Sequence, residues 1–233
     1  MNFINFESDI DLSNKQIIGV DEVGVGDYFG PLISCAVLIK KDNRQKVIDL
    51  GVTDSKKLSD KKIIEIVPKL FQLVESCVYR LTPKGYNSIN RYNNANEIKA
   101  FTHIKVINDL EKKLIMNNIN IDAIFIDQYS TKNTIEKYFQ KHLRPNNFGG
   151  LQPVNYDIYL AHKAESLSLE VAAASMIARY NFLLYMNQLE SEVGMSIPLG
   201  AGNNVKEFAK QFFSSKENSK QKSNLVKLSF KME

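Results

Sequence analysis

Strand-length apolar runs that end in carboxylates dominate the reading of this chain, because a buried strand rarely closes on a charge without a use for it. IDAIFID, starting at Ile121, is one such run and ends in Asp127. IIGVDE, residues 17–22, ends in Asp21 and Glu22. The glycine-bearing stretch Gly24 to Gly30 separates it from LISCAVLI at 32–39, which predicts two adjacent strands with a tight connection. In an α/β sheet such strand ends can meet, and oxygen ligands converging there suit Mg2+ or Mn2+ rather than zinc. Taken singly, each acid also fits a plainer role, solvating the end of its strand. Consecutive strand residues face opposite sides, so Asp21 and Glu22 reach one site only if the chain bends directly after them. Gly24 and Gly26 supply that freedom.

Helical patterns fill the intervals. Ser59 opens SDKKIIEIVPKLF, which Pro68 interrupts or bends, and ESCVYRLT from Glu75 reads as a strand. Asn94 caps a long helix whose Ile98, Phe101, Ile104, Ile107, Leu110 and Leu114 recur at three- and four-residue spacing, a single apolar face turned to a sheet. TKNTIEKYFQKHL is a further helix. Gly149, Gly150 and Pro153 mark a loop, VNYDIYLA a strand, and SLEVAAASMIARYNFLLYMNQLESEV a helix stopped by Gly194. Its Ala172 to Ala174 turn permits close packing. PLGAG is a loop, Asn203 is read as an N-cap, and SSKENSKQKSN, polar and low in complexity, as flexible.

At 233 residues the chain holds one sizeable α/β domain, and 44% hydrophobic with 24% charged residues excludes wholesale disorder or a fibrous repeat. Cys35 and Cys77 sit in apolar runs with no zinc or disulfide spacing, which fits a reducing compartment. The acidic start MNFINFESDIDLSN lacks a basic region followed by an apolar stretch, and no segment approaches a membrane span; a cytoplasmic protein with no membrane contact is expected. The net charge of +4 permits a polyanionic partner. Lys56, Lys57, Lys61 and Lys62 form one cluster, and Lys216, Lys220, Lys222, Lys227 and Lys231 another. Phosphate contacts and a solvated face both fit such clusters.

The glycine stretch also lets backbone N–H groups approach a ribose or phosphate. It is not a dinucleotide loop, because G-V-G-D-Y-F-G departs from G-x-G-x-x-G and runs into Pro31 and a strand instead of a helix. GVDEVGVGDYFGPL, then TDSKKLSDKK, LTPKGYNSINRYNNANEIKAFTH, FIDQY, HKAESLSLEVAAASMIARY and PLGAG, resembles in order the ribonuclease HIII family. The resemblance implies an RNase H-like fold, a mixed central β-sheet flanked by α-helices. The resemblance runs from about residue 17, and the chain is read as a short N-terminal extension, 1–15, followed by an RNase H-like catalytic domain with a C-terminal helical region, 16–233. It also implies an endonuclease that hydrolyses the RNA strand of an RNA/DNA hybrid, leaving 5′-phosphate and 3′-hydroxyl ends; a monomer is expected. The alternative is a hybrid-binding module whose catalysis has decayed.

By motif, the family's metal-binding and catalytic acids fall on Asp21, Glu22, Asp127 and Glu165, holding Mg2+ or Mn2+ against the scissile phosphate. Glu170 is the reserve for Glu165. The backbone of Gly24, Val25 and Gly26 is expected to read the 2′-hydroxyl, while Ser55, Lys56 and Lys57 contact phosphates. Lys163 is expected either to do likewise or to be a surface lysine. Tyr28, Tyr86 and Asn87 fall in family motifs without an assigned role, and His103, His142 and His162 read as structural or surface residues. Three departures stand out. The family's N-terminal substrate-binding domain has no room in the roughly sixteen residues before the first strand. Gly24-Val25-Gly26 replaces the GRG of ribonuclease HII, so the resemblance does not carry cleavage at a single embedded ribonucleotide. Leu199 stands where a lysine is expected, removing one phosphate contact.

Overall fold

The computed structural model of the chain describes residues 1–7, 10–12 and 14–232. Six strands, β1 (Phe3–Asn5), β2 (Ile17–Val23), β3 (Leu32–Ile39), β4 (Val74–Leu81), β5 (Ala123–Asp127) and β6 (Asp157–Ala161), form one sheet. Its order is β1-β6-β5-β2-β3-β4. The first four run parallel to their neighbours, whereas β3 and β4 are antiparallel additions, as a tight β2–β3 connection requires. The helices are α1 (Arg44–Asp49), α2 (Asp60–Leu70), α3 (Pro83–Asn90), α4 (Ala95–Met116), α5 (Lys132–His142), α6 (Leu169–Val193), α7 (Asn203–Phe212) and α8 (Lys216–Leu225). The expected RNase H-like mixed sheet between helices is present.

Helices cover both faces of the sheet, and the strand period sorts the core between them. Ile33, Cys35, Val37 and Ile39 of β3 pack with α2 and α6, while Leu32, Ala36 and Leu38 pack with Ile18 and Val20 of β2 against α4 and α5. That leaves no solvated face on β3, whose eight residues are all buried, and explains why its sequence is apolar throughout rather than alternating. At Gly19 the two layers nearly touch. A Cβ there would lie 2.3 Å from the Glu170 carbonyl carbon and the Val171 nitrogen of α6. Only glycine lets the start of α6 settle over β2 at that height.

Several sequence readings meet corrections. The segment read as flexible, SSKENSKQKSN, contains α8, with the Ser215 side chain accepting from the Asn218 N–H. No residue of α8 is buried, so it lacks the apolar stripe by which helices are found in sequence. The N-cap of α7 is Gly202, and Asn203 is its first helical residue. Pro68 does not interrupt α2, since it stands in the last turn, where the helix ends at Leu70. Helix α4 buries more than one stripe, including Ala100, Thr102, His103 and Val106, because α5 packs on it as well as the sheet. At the N-terminus, Phe3–Asn5 pairs in parallel with Ile158–Leu160, so part of the 1–15 extension is an edge strand of the main sheet. Ser8, Asp9 and Ser13 of that extension lie outside the described residues.

Candidate active site

The end of β2 is where the carboxylates gather. Continuing the period that sends Ile18 and Val20 toward α4, Glu22 points to the α4 layer and Asp21 to the α6 layer. Asp127 closes β5, the parallel neighbour of β2, and its Oδ1 accepts from the Ala164 N–H at 3.1 Å. That bond ties β5 to the 3-10 turn Ala164–Ser166, which carries Glu165. All four acids, Asp21, Glu22, Asp127 and Glu165, line one cleft of about 730 Å³. Glu170, the reserve candidate, lies elsewhere: it is buried in the first turn of α6, paired with Arg44 and accepting from the Ser168 hydroxyl at 2.9 Å.

The glycine loop forms one wall of the same cleft, through Gly24, Val25 and Gly26. Gly24 has φ +92°, and a Cβ on it would lie 2.1 Å from the Pro31 carbonyl oxygen, so the bend after Val23 depends on glycine there. Gly26 has open space around its Cα and meets no such demand. Asp27 then fastens the loop to PLGAG, accepting from the Gly200 N–H at 2.7 Å, while Tyr28 N–H donates to the Gly200 carbonyl at 2.9 Å. Leu199, in place of the expected lysine, packs against the apolar core.

Ser55 and Lys56 stand on the cleft's other side, in a 3-10 turn whose Asp54 side chain accepts from Lys56 N–H. The Ser55 and Ser175 hydroxyls are 2.8 Å apart, and the largely exposed Lys56 ammonium donates to Glu165 Oε1 at 3.3 Å. Burial acts to lower the Lys56 pKa, yet the carboxylates of Glu165, Asp21 and Asp54 hold it above its ordinary value. Lys163 does not join them. It is exposed, adopts φ +57° just before the Glu165 turn, and is not among the cleft's lining residues.

Electrostatically the two strand-end neighbours part company. Burial, then the Glu22 and Asp127 charges, push the Asp21 carboxyl up to about 8, against a hydrogen bond donated by the Ser175 hydroxyl. Glu22 is just as enclosed, but Lys99 and His103 bring it down to about 2. Lys99 Nζ lies 2.7 Å from Glu22 Oε1, His103 donates from Nε2 to Oε2 at 2.7 Å, and the Lys99 ammonium sits 4.4 Å from the Tyr129 ring centroid. His103, read from sequence as isolated, is therefore a buried partner of an acid in the cleft. His142 donates to the Glu97 carbonyl and His162 is exposed, both away from it.

Sequence reasoning missed Lys99, His103, Ser175 and Arg179. The signal was a polar pair spaced four residues apart on each helix that crosses β2, Lys99 with His103 on α4 and Ser175 with Arg179 on α6. Arg179 lines the cleft and grips Asp60 with two bonds of 2.9 and 3.0 Å.

A family model described as Ribonuclease HII matches residues 18–233. The chain belongs to the ribonuclease HII family. Ribonuclease HIII of Listeria monocytogenes is 38% identical over 194 residues, covering 83% of this chain and 60% of that protein. Ribonuclease HIII of Bacillus subtilis is 38% identical over 200 residues, covering 85% and 60%. The chain thus spans about 60% of the length of these curated relatives. Among solved structures, Bst-RNase HIII in complex with Mn2+ superposes with a TM-score of 0.85 at 32% identity, over 95% of this chain and 69% of that one. Aquifex aeolicus RNase H3 gives 0.70 at 31% identity, over 93% and 73%.

For a member of this family the donor set is the first test. Four carboxylates supply only hard oxygen atoms, which fits a divalent cation of the Mg2+ or Mn2+ kind. A half-buried Asp21 whose charge is opposed by two neighbouring carboxylates is a place where positive charge is wanted. As the side chains stand, however, among the described residues no three His, Cys, Asp or Glu form a group that could hold a metal ion. Glu22 is engaged by Lys99 and His103, Glu165 by Lys56, and Asp127 by a backbone N–H. The four line one cleft without closing on one point. No helix is long and apolar enough to cross a membrane among the described residues.

Proposed function

We propose that this cleft binds an RNA/DNA hybrid and hydrolyses its RNA strand, with Mg2+ or Mn2+ held by Asp21, Glu22, Asp127 and Glu165, leaving 5′-phosphate and 3′-hydroxyl ends. The observation that carries the reading is the meeting of those four acids with the Gly24–Gly26 backbone along one cleft. The complex of the similar Bst-RNase HIII with Mn2+ supports the choice of cation. Bound there, divalent cations would activate water and offset charge on the departing 3′ oxygen. The protein's own groups do the rest. Open space at Gly26 lets the loop backbone approach a ribose, where amide and carbonyl groups can recognise the 2′-hydroxyl. Lys56 and Arg179 also line the cleft, where their cationic groups, paired with Glu165 and Asp60 in the free protein, can turn to the phosphodiester backbone. Ser175 orients Asp21, and Lys99 with His103 fixes Glu22.

A second reading, a hybrid-binding module that does not cut, has one observation in its favour: among the described residues the acids form no metal-holding group, and Glu22 and Glu165 are already paired with lysines. Labelled hybrid incubated with the protein and Mg2+ or Mn2+ separates the two. The nuclease reading expects RNA-strand fragments with 5′-phosphates, and a loss of at least about 10²-fold in rate in Asp21→Asn with the fold intact. Tight hybrid binding without fragments would favour the module, and full activity in Asp21→Asn would reject the assignment of the site.

A further inference from the structure

Tyr28, Tyr86 and Asn87 have no part in the cleft, yet all three meet the same segment of chain. After α8 the backbone turns back along the glycine loop: Gly30 N–H donates to Leu225 O at 3.1 Å, Phe29 pairs with Val226 in an antiparallel bridge, and Lys227 N–H donates to Tyr28 O at 2.9 Å. Asn87, from α3, grips the segment from its other side. Its Nδ2 donates to Ser223 O at 3.0 Å and Val226 O at 2.9 Å, and its Oδ1 accepts from Leu228 N–H at 2.8 Å. The strap is thus bonded on both flanks, to the loop and to α3.

At its centre lies an unusual side chain. Lys227 is fully buried, and its ammonium donates to two backbone carbonyls, Asp27 O at 2.7 Å and Gly30 O at 2.8 Å. Its Nζ also lies 5.8 Å from the centroid of the Tyr86 ring. Burying an ammonium is costly, and here burial pulls its pKa down to about 7 against the pull of the Asp27 charge. An apolar side chain of similar length, such as methionine, would fill the space but has no N–H to join those carbonyls. The two acceptors bracket the turn from Asp27 to Gly30, and Asp27 directly follows Gly26 in the cleft wall.

We infer that Lys227 is a positioning residue for substrate recognition: its ammonium ties the C-terminal strap to both ends of the Asp27–Gly30 turn and thereby holds the Gly24–Gly26 backbone in the form that meets the ribose. The inference rests on the reading of the cleft as a hybrid site. Compact and three-donor, an ammonium can serve two carbonyls at once, where a planar guanidinium needs a matching fork. The strap also gives Tyr86 and Asn87 a purpose, as the anchor on α3 that keeps Lys227 in place.

Lys227→Met and Asn87→Ala in the whole 233-residue chain test this, the second breaking the strap from its more exposed flank should the first fail to fold. Amide hydrogen exchange over residues 24–30 should quicken about 10-fold or more in each, with β3 and the first half of α6 unchanged. In cleavage of labelled hybrid, KM should rise about 10-fold while kcat stays within about 3-fold, and the preference for hybrid over duplex DNA in binding should fall. Unchanged loop exchange would overturn the inference, and so would faster exchange with KM and preference intact. A parent protein that shows no preference for hybrid would instead sink the reading of the cleft, before any variant is compared.

Discussion

The two faces of the sheet treat adjacent carboxylates at the end of β2 in opposite ways. On the α4 face Glu22 meets Lys99 and His103, and its ionised form is favoured despite burial. On the α6 face Asp21 meets a hydroxyl from Ser175 and the thiol layer of Cys35, and burial with its acidic neighbours disfavours its charge. One acid is already neutralised by the protein, and the other is left short of positive charge. That asymmetry teaches how this chain accommodates four acids along one cleft: one face supplies its own countercharge through Lys99 and His103, and the deficit is left at Asp21 on the other face.

Removing the internal countercharge is the hardest blow to this contrast. Lys99→Met keeps the aliphatic stem but leaves Glu22 largely buried beside a lone imidazole, so unfolding stability at pH 7 should drop by about 3 kcal/mol in denaturant titration. A loss under about 1 kcal/mol would mean that Lys99 is dispensable and that the two faces do not differ as described.

A smaller effect probes the other face. The Asp21 carboxyl titrates near 8 in the folded chain against 3.8 as a free group, so the native state retains a proton that the unfolded chain has lost. Stability therefore falls as pH rises from about 4 to about 8 in metal-free buffer. A carboxamide in its place cannot ionise, so Asp21→Asn should melt about 3 °C or more above the parent at pH 8.5 with chelator present, the gap closing toward pH 4. Glu22 carries the opposite slope, its contribution present above its free value of 4.5 and lost as pH falls through about 2. Equal melting of parent and Asp21→Asn across the alkaline range would erase the contrast.

Much of this was visible in the residues themselves. The apolar run at β5 with its terminal Asp127, the all-buried β3 and the Gly194 stop of α6 follow from period and punctuation, and the four acids picked out by the ordered motifs, Asp21, Glu22, Asp127 and Glu165, line one cleft. What stayed hidden was long-range. Lys99 and His103 lie on a helix read as apolar toward the sheet, and only the β2 register shows that its polar exceptions face Glu22. Helix α8 has no apolar stripe to betray it, and Lys227 looked like one more lysine in a basic tail. Its burial depends on contacts with Asp27 and Gly30, about two hundred residues earlier in the chain.

Calorimetric titration of the metal-free protein with Mn2+, in the absence of nucleic acid, tests most directly whether the carboxylates around Asp21 form a cation site. The parent should bind Mn2+ at least about 10-fold more tightly than Asp21→Asn or Asp127→Asn. Parent and both variants binding with the same affinity, or the parent not binding at all, would contradict the account.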